Sequence, residues 1–188
     1  LKSGIYYITG KFCSGDTIHL QINTKEHTPI TASAILPDKP IITSLDIDTL
    51  CIKGEWFTQL RMGFHNSSDK AYYAIRIIGM EVTKEYTREN IQYIDNNEEP
   101  LLNNYSKGNV DFGTSNEYYH HMYIFDNSQI IDNTYILHLN VPYCNYIPCY
   151  KVQLFRITHD YYKFLKSIND INNNNLSNYG MSFITPTF

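Results

Sequence analysis

Apolar and polar residues alternate along this chain in short runs, the period of strands with one buried face. Thr17-Ile18-His19-Leu20-Gln21-Ile22 shows the alternation plainly, and Ile42 to Ile52 repeats it with Leu45, Ile47 and Thr49 on one side. Gly4 to Ile8 and Thr31 to Leu36 read as further short strands, the second held near a sheet edge by Pro29, Pro37 and Pro40. Lys53-Gly54 is a turn signal, so Trp56 to Phe64 returns as the second arm of a hairpin. After a polar loop at His65 to Lys70, Ala71 to Val82 carries apolar residues on both faces, which predicts a central strand between two layers.

Thr83 to Tyr93 mixes charges and fits either a continuing strand or one or two helical turns. Asp95 to Asn116 is polar, without periodicity, and is the longest predicted loop; binding residues are often carried by such loops. Strands resume at Tyr118 to Phe125, Thr134 to Val141 and Tyr150 to Thr158. One amphipathic helix follows near residues 160–171, with Asp160 as N-cap, Tyr161, Phe164, Leu165, Ile168 and Ile171 on its apolar face, and Lys163 and Lys166 in solvent. The expected fold is therefore mainly β, an antiparallel β-sandwich with immunoglobulin-like or barrel-like sheets and one C-terminal amphipathic helix. Residues 1–36 read as the C-terminal part of a small N-terminal β lobe and residues 42–188 as the main sandwich, joined near Leu36 to Ile41; two lobes sharing a core and two independent domains fit equally well.

Composition sharpens this picture. Seventeen tyrosines in 188 residues favour strands, as does the scarcity of alanine and leucine, although tyrosine, isoleucine, asparagine and lysine also rise together when coding DNA is AT-rich. A net charge of -4 with no Lys/Arg cluster argues against nucleic acid as a partner. No run approaches the roughly 18 apolar residues of a membrane-spanning helix. The chain opens on Leu1-Lys2-Ser3-Gly4 and passes directly into strand-like sequence, which fits a cytoplasmic protein or an exported one whose leader lies outside these residues.

Candidate chemistry is sparse. Glu117-Tyr118-Tyr119-His120-His121 is the most ligand-like cluster, but adjacent strand residues point to opposite faces, so the two imidazoles are badly placed to share one metal ion. Asp46 and Asp48 share a strand face, an arrangement commoner on solvated strands than in acid–base catalysis. No nucleophile elbow, phosphate loop or metalloprotease helix is present, and no motif calls for a cofactor or a metal, so the chain reads as non-enzymatic. Cys144 and Cys149 bracket a four-residue loop that a disulfide could close at a gain of about 2 kcal/mol, or they remain thiols like Cys13 and Cys51. The tyrosines are the remaining binding candidates. Tyr118, Tyr119, Tyr143 and Tyr146, with His121, would offer rigid amphipathic area to a sugar, a peptide or a flat small molecule.

The order of short motifs resembles the domain-of-unknown-function-4249 lipoproteins of the Bacteroidota outer membrane. Gly4-Ile5-Tyr6, Gly15 and Ile18 to Ile22 look like the family's opening strands, and Ala32-Ser33-Ala34 with Pro37 and Pro40-Ile41 is similar to its small-residue strand and proline step. Asp69-Lys70-Ala71-Tyr72-Tyr73 and Phe125-Asp126 with Asp132 to Tyr135 match later steps. Val152-Gln153-Leu154 leading to Asp160-Tyr161-Tyr162-Lys163-Phe164-Leu165 resembles its strand into a tyrosine-rich helix, and Ser182-Phe183 with Pro186 its next segment. The resemblance implies a β-rich protein on the cell surface, tied to the outer membrane only by an N-terminal lipid anchor absent from this chain and often encoded near TonB-dependent receptors. Two readings follow from it: capture of a ligand as accessory to such a transporter, or a structural or adhesive envelope module working through protein–protein contacts.

Overall fold

A computed structural model describes residues 9–23, 28–95, 98–103 and 122–174, with side chains described as far as residue 167. The chain divides into two compact units, Leu1–Lys39 and Pro40–Phe188. In the first, β1 (Thr17–Ile22) and β2 (Ile30–Ile35) form an antiparallel hairpin in which Thr17 pairs with Ile35 and Ile22 with Ile30. Backbone bonds between Gly15 and Leu36 (2.9 Å) and between Leu36 and Asp16 (2.9 Å) close its open end. The predicted strand at Gly4 to Ile8 lies outside the described residues.

The second unit is mainly β and antiparallel. One sheet has the order β3 (Ile42–Ile52), β4 (Glu55–His65), β8 (Thr134–Pro142). The β3–β4 turn is tight because Lys53 and Gly54 both take positive φ, 51° and 89°, the backbone that a two-residue hairpin turn requires. The other sheet is built around β5 (Tyr72–Val82). On one edge β7 (Tyr123–Asp126) pairs with Tyr72 to Ile75 and β6 (Thr87–Gln92) with Ile77 to Val82, so these two strands share that edge end to end. β9 (Cys149–Ile157) occupies the opposite edge. The ambiguous stretch at 83–93 is thus a turn followed by β6.

Strand alternation explains the core. Leu60, Met62 and Phe64 of β4 and Leu137, Leu139 and Val141 of β8 face Tyr73, Ile75 and Ile77 of β5 with Tyr123 and Phe125 of β7, all buried in one cluster between the sheets. Phe64 sits at its centre, with ring centroids 5.4 Å from Tyr73, 6.0 Å from Phe125 and 6.3 Å from Tyr135. The alternate residues of β5 and β7, Ala74 and Ile124, lie on the outer face beneath α2 (His159–Asn174), which buries Tyr162 and Leu165 against them. The double-faced apolar pattern of β5 comes from this third layer.

Two expectations about α2 need correction. Thr158, not Asp160, caps the helix: its hydroxyl accepts the Tyr161 amide at 3.2 Å and its carbonyl the Tyr162 amide at 2.9 Å. The buried stripe runs through Tyr162 and Leu165 with Tyr161 half-buried against them, Phe164 is exposed and stacks on Tyr161 at 6.2 Å, and Ile168 and Ile171 lie outside the described side chains. Leu165 lies three residues after Tyr162 and four after Tyr161, so spacing alone put Leu165 on the buried face but did not settle which tyrosine is the deeper.

The long connection after β6 closes one side of the sandwich. Ile94 is buried, and its backbone N–H and C=O both bond the Tyr123 hydroxyl, at 2.8 and 3.1 Å. Asp95 bridges to Asn140 on the free edge of β8, and the short helix α1 (Pro100–Asn103) drops Leu101 and Leu102 into the core. Between them Glu99 is fully buried. Its carboxylate accepts the Tyr135 hydroxyl at 2.8 Å, the His138 amide at 2.8 Å and the Leu101 amide at 3.1 Å, so it seals an edge N–H of β8 and caps α1.

Candidate functional site

Strands β4, β5 and β8 run the length of the sandwich, so the loops at its two ends can be compared directly. At one end the β4–β5 and β7–β8 loops surround a cavity of about 340 Å³ whose lining includes Asn66, Ser67, Asp69, Asn127 and Asn133. Two of its amide side chains, Asn66 and Asn127, serve the loops themselves. The Asn127 amide donates to Asn66 Oδ1, Ser67 O and Asp69 O at 3.0, 3.0 and 2.9 Å and accepts the Ala71 amide at 2.9 Å. Asn66 in turn donates to Asp132 O at 3.2 Å. An asparagine can make about four such bonds, so little of Asn127 remains for a ligand. This end is a clasp.

The opposite end presents aromatic side chains to solvent. Tyr143 continues the register of β8 past Pro142, and its amide bonds the Trp56 carbonyl at 2.9 Å, which sets Tyr143 and Trp56 across from each other on neighbouring strands. The loop then crosses to the second sheet, where the Tyr146 carbonyl accepts the Val82 amide at 2.9 Å at the end of β5. Trp56, Tyr143 and Tyr146 are 60%, 53% and 59% exposed, values large for residues so firmly tied through their backbones. Beneath them Tyr150, paired with Gly79, reaches across the sandwich to Thr58, with its hydroxyl 3.4 Å from Thr58 Oγ1. Burial raises the Tyr150 phenol above its usual range, and the neighbouring Cys144 and Tyr143 add to the shift, so the group at the floor of this rim is a neutral hydrogen-bonding hydroxyl. Gly79 keeps this region close-packed: a Cβ on it would come within 2.7 Å of Gln92 Nε2 and 2.9 Å of the Ile147 side chain from the crossing loop, so one or both would have to shift.

Of the five tyrosine and histidine positions picked from sequence, Tyr143 and Tyr146 fall at this end and are solvent-facing, while Tyr118, Tyr119 and His121 lie outside the described residues. Trp56 was not among the candidates. It is the lone tryptophan, and pairing the hairpin arm Trp56 to Phe64 with the strand Thr134 to Val141 would have placed it beside Tyr143, but that pairing is between strands distant in sequence. Cys144 and Cys149 are free thiols in this structure, as are Cys13 and Cys51. The loop is tied by backbone bonds, including Ile147 N to Cys144 O at 3.2 Å. Asp48 pairs with Arg61 at 3.1 Å on an exposed sheet face, a surface ion pair. No group of three or more metal-ligating side chains occurs among the described residues.

The family model described as Domain of unknown function (DUF4249) matches residues 1–186. The chain belongs to that family. No curated protein and no solved structure matches it. Family membership therefore brings no ligand and no site residues to this chain, and the aromatic end must be read from its own chemistry. In this DUF4249 chain, three exposed rings above a neutral phenol can stack on flat or sugar-like faces, and the nearby backbone and hydroxyl groups can add a few directional hydrogen bonds.

Proposed function

We propose that this DUF4249 protein is a non-catalytic cell-envelope lipoprotein on the outer-membrane surface that captures a ligand at the aromatic end of its sandwich, as accessory to a TonB-dependent transporter. The observation that carries the reading is the exposure of Trp56, Tyr143 and Tyr146 on a loop and strand end fixed from both sheets. Exposed apolar area of this kind has a solvation cost, and a pre-ordered aromatic rim binds with little loss of conformational freedom. A glycan, a peptide or a flat small molecule with apolar faces suits it; the envelope setting and the transporter come from the motif resemblance described above.

The test is binding of the purified chain to glycan, peptide and siderophore panels, repeated with Trp56→Ala and with Tyr143→Ala/Tyr146→Ala. A hit that weakens by about tenfold or more per aromatic removed, with unchanged unfolding midpoints, is the expected result. Silence across the panels, together with failure of any TonB-dependent receptor to co-purify with the lipidated protein from its native membrane, would refute it.

A further inference from the structure

We infer that the free edge of β3 is a docking site for an extended peptide strand of another protein, one that alternates apolar residues with lysine or arginine. The inference concerns the side of the sandwich, not its aromatic end, and holds whatever ligand that end takes.

The two edges of the β3–β4–β8 sheet are treated differently by the fold. The β8 edge is shielded by the connection carrying Ile94, Asp95 and Glu99, which bonds its backbone at Asn140 and His138. Along β3, by contrast, ten of its eleven residues pair with β4, and no other described strand of this unit pairs with its outer edge. Native sheets usually blunt such edges with lysine, proline, inward-facing charge or short length. The run Ile42 to Ile52 contains no lysine or proline, and its one irregularity, between Ile42 and Ser44, lies at an end.

The side chains of β3 also look unfinished. Directly paired residues share a sheet face, so Ile42, Leu45 and Ile47 lie on the same face as Phe64, Met62 and Leu60. The β4 residues are 0%, 1% and 2% exposed; their β3 partners are 48%, 52% and 59% exposed. The core layer thus continues one strand further than the opposing sheet covers among the described residues. An added strand would supply backbone partners to the edge and apolar side chains to this row, the geometry of β-augmentation.

Charge selects the kind of strand. The outward face of β3 bears Asp46 and Asp48, and Arg61 is the cation across from them. A second copy of the chain fits poorly, since the antiparallel register that overlaps the whole strand sets Asp46 against Asp48 twice. Basic residues at the alternate positions of the incoming strand would instead meet these carboxylates.

The probes are two synthetic peptides as long as β3, one alternating isoleucine with lysine and one alternating isoleucine with glutamate. Binding to the purified chain is followed by fluorescence anisotropy and by backbone amide exchange. The expected result is that the lysine peptide protects the alternate amides of residues 42–52 that point away from β4, binds about tenfold or more tightly than the glutamate peptide, and loses that preference in Asp46→Asn/Asp48→Asn. A second variant, Ile47→Asn, should weaken the lysine peptide while leaving the unfolding midpoint close to the parent's, because Ile47 is already largely in water. The inference is overturned by protection of regions other than β3, by equal binding of both peptides, or by no binding. It is also overturned if the alternate β3 amides that point away from β4 are already protected in the free chain, since an intramolecular segment or a second copy would then hold the edge.

Discussion

Removing the carboxylate of Glu99 should destabilise the sandwich more than any surface change of equal size. The side chain is fully buried and accepts three hydrogen bonds at 2.8, 2.8 and 3.1 Å, two of them from backbone amides. Glu99→Ala strands those donors. A hydrogen bond to a charged group contributes about 1.5–3 kcal/mol, and an unsatisfied buried donor costs about 1–3 kcal/mol, so with partial rescue by water the expected loss is about 3–5 kcal/mol. Glu99→Gln is the informative companion. Oε1 serves both Tyr135 and Leu101 while Oε2 serves His138, so an amide must aim its NH₂ at one donor and lose at least that bond, at about 1–3 kcal/mol. Tyr135→Phe removes a donor and leaves the carboxylate with both amides, so it should cost less than Glu99→Ala. The assay is denaturant unfolding with the slope checked for constancy. A Glu99→Ala protein within about 0.5 kcal/mol of the parent would refute the claim that this carboxylate holds the β8 edge and α1 together.

Other outcomes follow from the same packing. Tyr73, Tyr135 and Tyr150 all have phenols raised above the ordinary value of 10.0, chiefly by burial. Since folding raises them, their contribution is complete below the unfolded value and is lost as pH climbs through the higher folded values, so the unfolding midpoint should hold to about pH 10 and then fall; buried tyrosines that ionise at the free value with the fold intact would contradict this. Leu165→Ala, which empties the contact between α2 and the outer face of β5 and β7, should cost about 2–4 kcal/mol by denaturant unfolding, whereas Phe164→Ala on the exposed side should cost well under 1 kcal/mol. Asn127→Ala should cost about 2–4 kcal/mol and speed amide exchange at Ala71, and an unchanged exchange rate there would show that the clasp is not what orders the β4–β5 loop.

Much of the fold was legible because strand alternation is a local signal. The hairpin through Lys53-Gly54, the central position of β5 and the place of the C-terminal helix each follow from residues close in sequence. What escaped were features made by contacts between distant segments. Glu99 looked like one polar residue in a polar loop; its role appears only when Tyr135 and the His138 amide, 36 and 39 residues away, close around it. The identity of the cap on α2 depended on one hydroxyl, and the rotation of its buried face on which of two adjacent tyrosines is the more deeply buried. Trp56 was hidden for the same reason, since its place beside Tyr143 is set by the β4–β8 register.

The distribution of bonding argues for a division of labour along the sandwich. The Asn127 and Glu99 side chains spend their hydrogen bonds on holding the chain together. Trp56, Tyr143 and Tyr146 are the reverse case: their backbones are bonded to the scaffold while their side chains contribute little burial to the fold. Residues ordered in this way can change with small effect on stability, which is the condition under which binding chemistry can be altered without loss of the fold. The same reasoning applies to Leu45 and Ile47 on β3, where strand pairing fixes the backbone and solvent meets the side chains. A survey of substitutions that scores folding and surface binding separately should therefore place Glu99, Asn127 and Leu165 among the stability positions, and Trp56, Tyr143, Tyr146 and Ile47 among the binding positions.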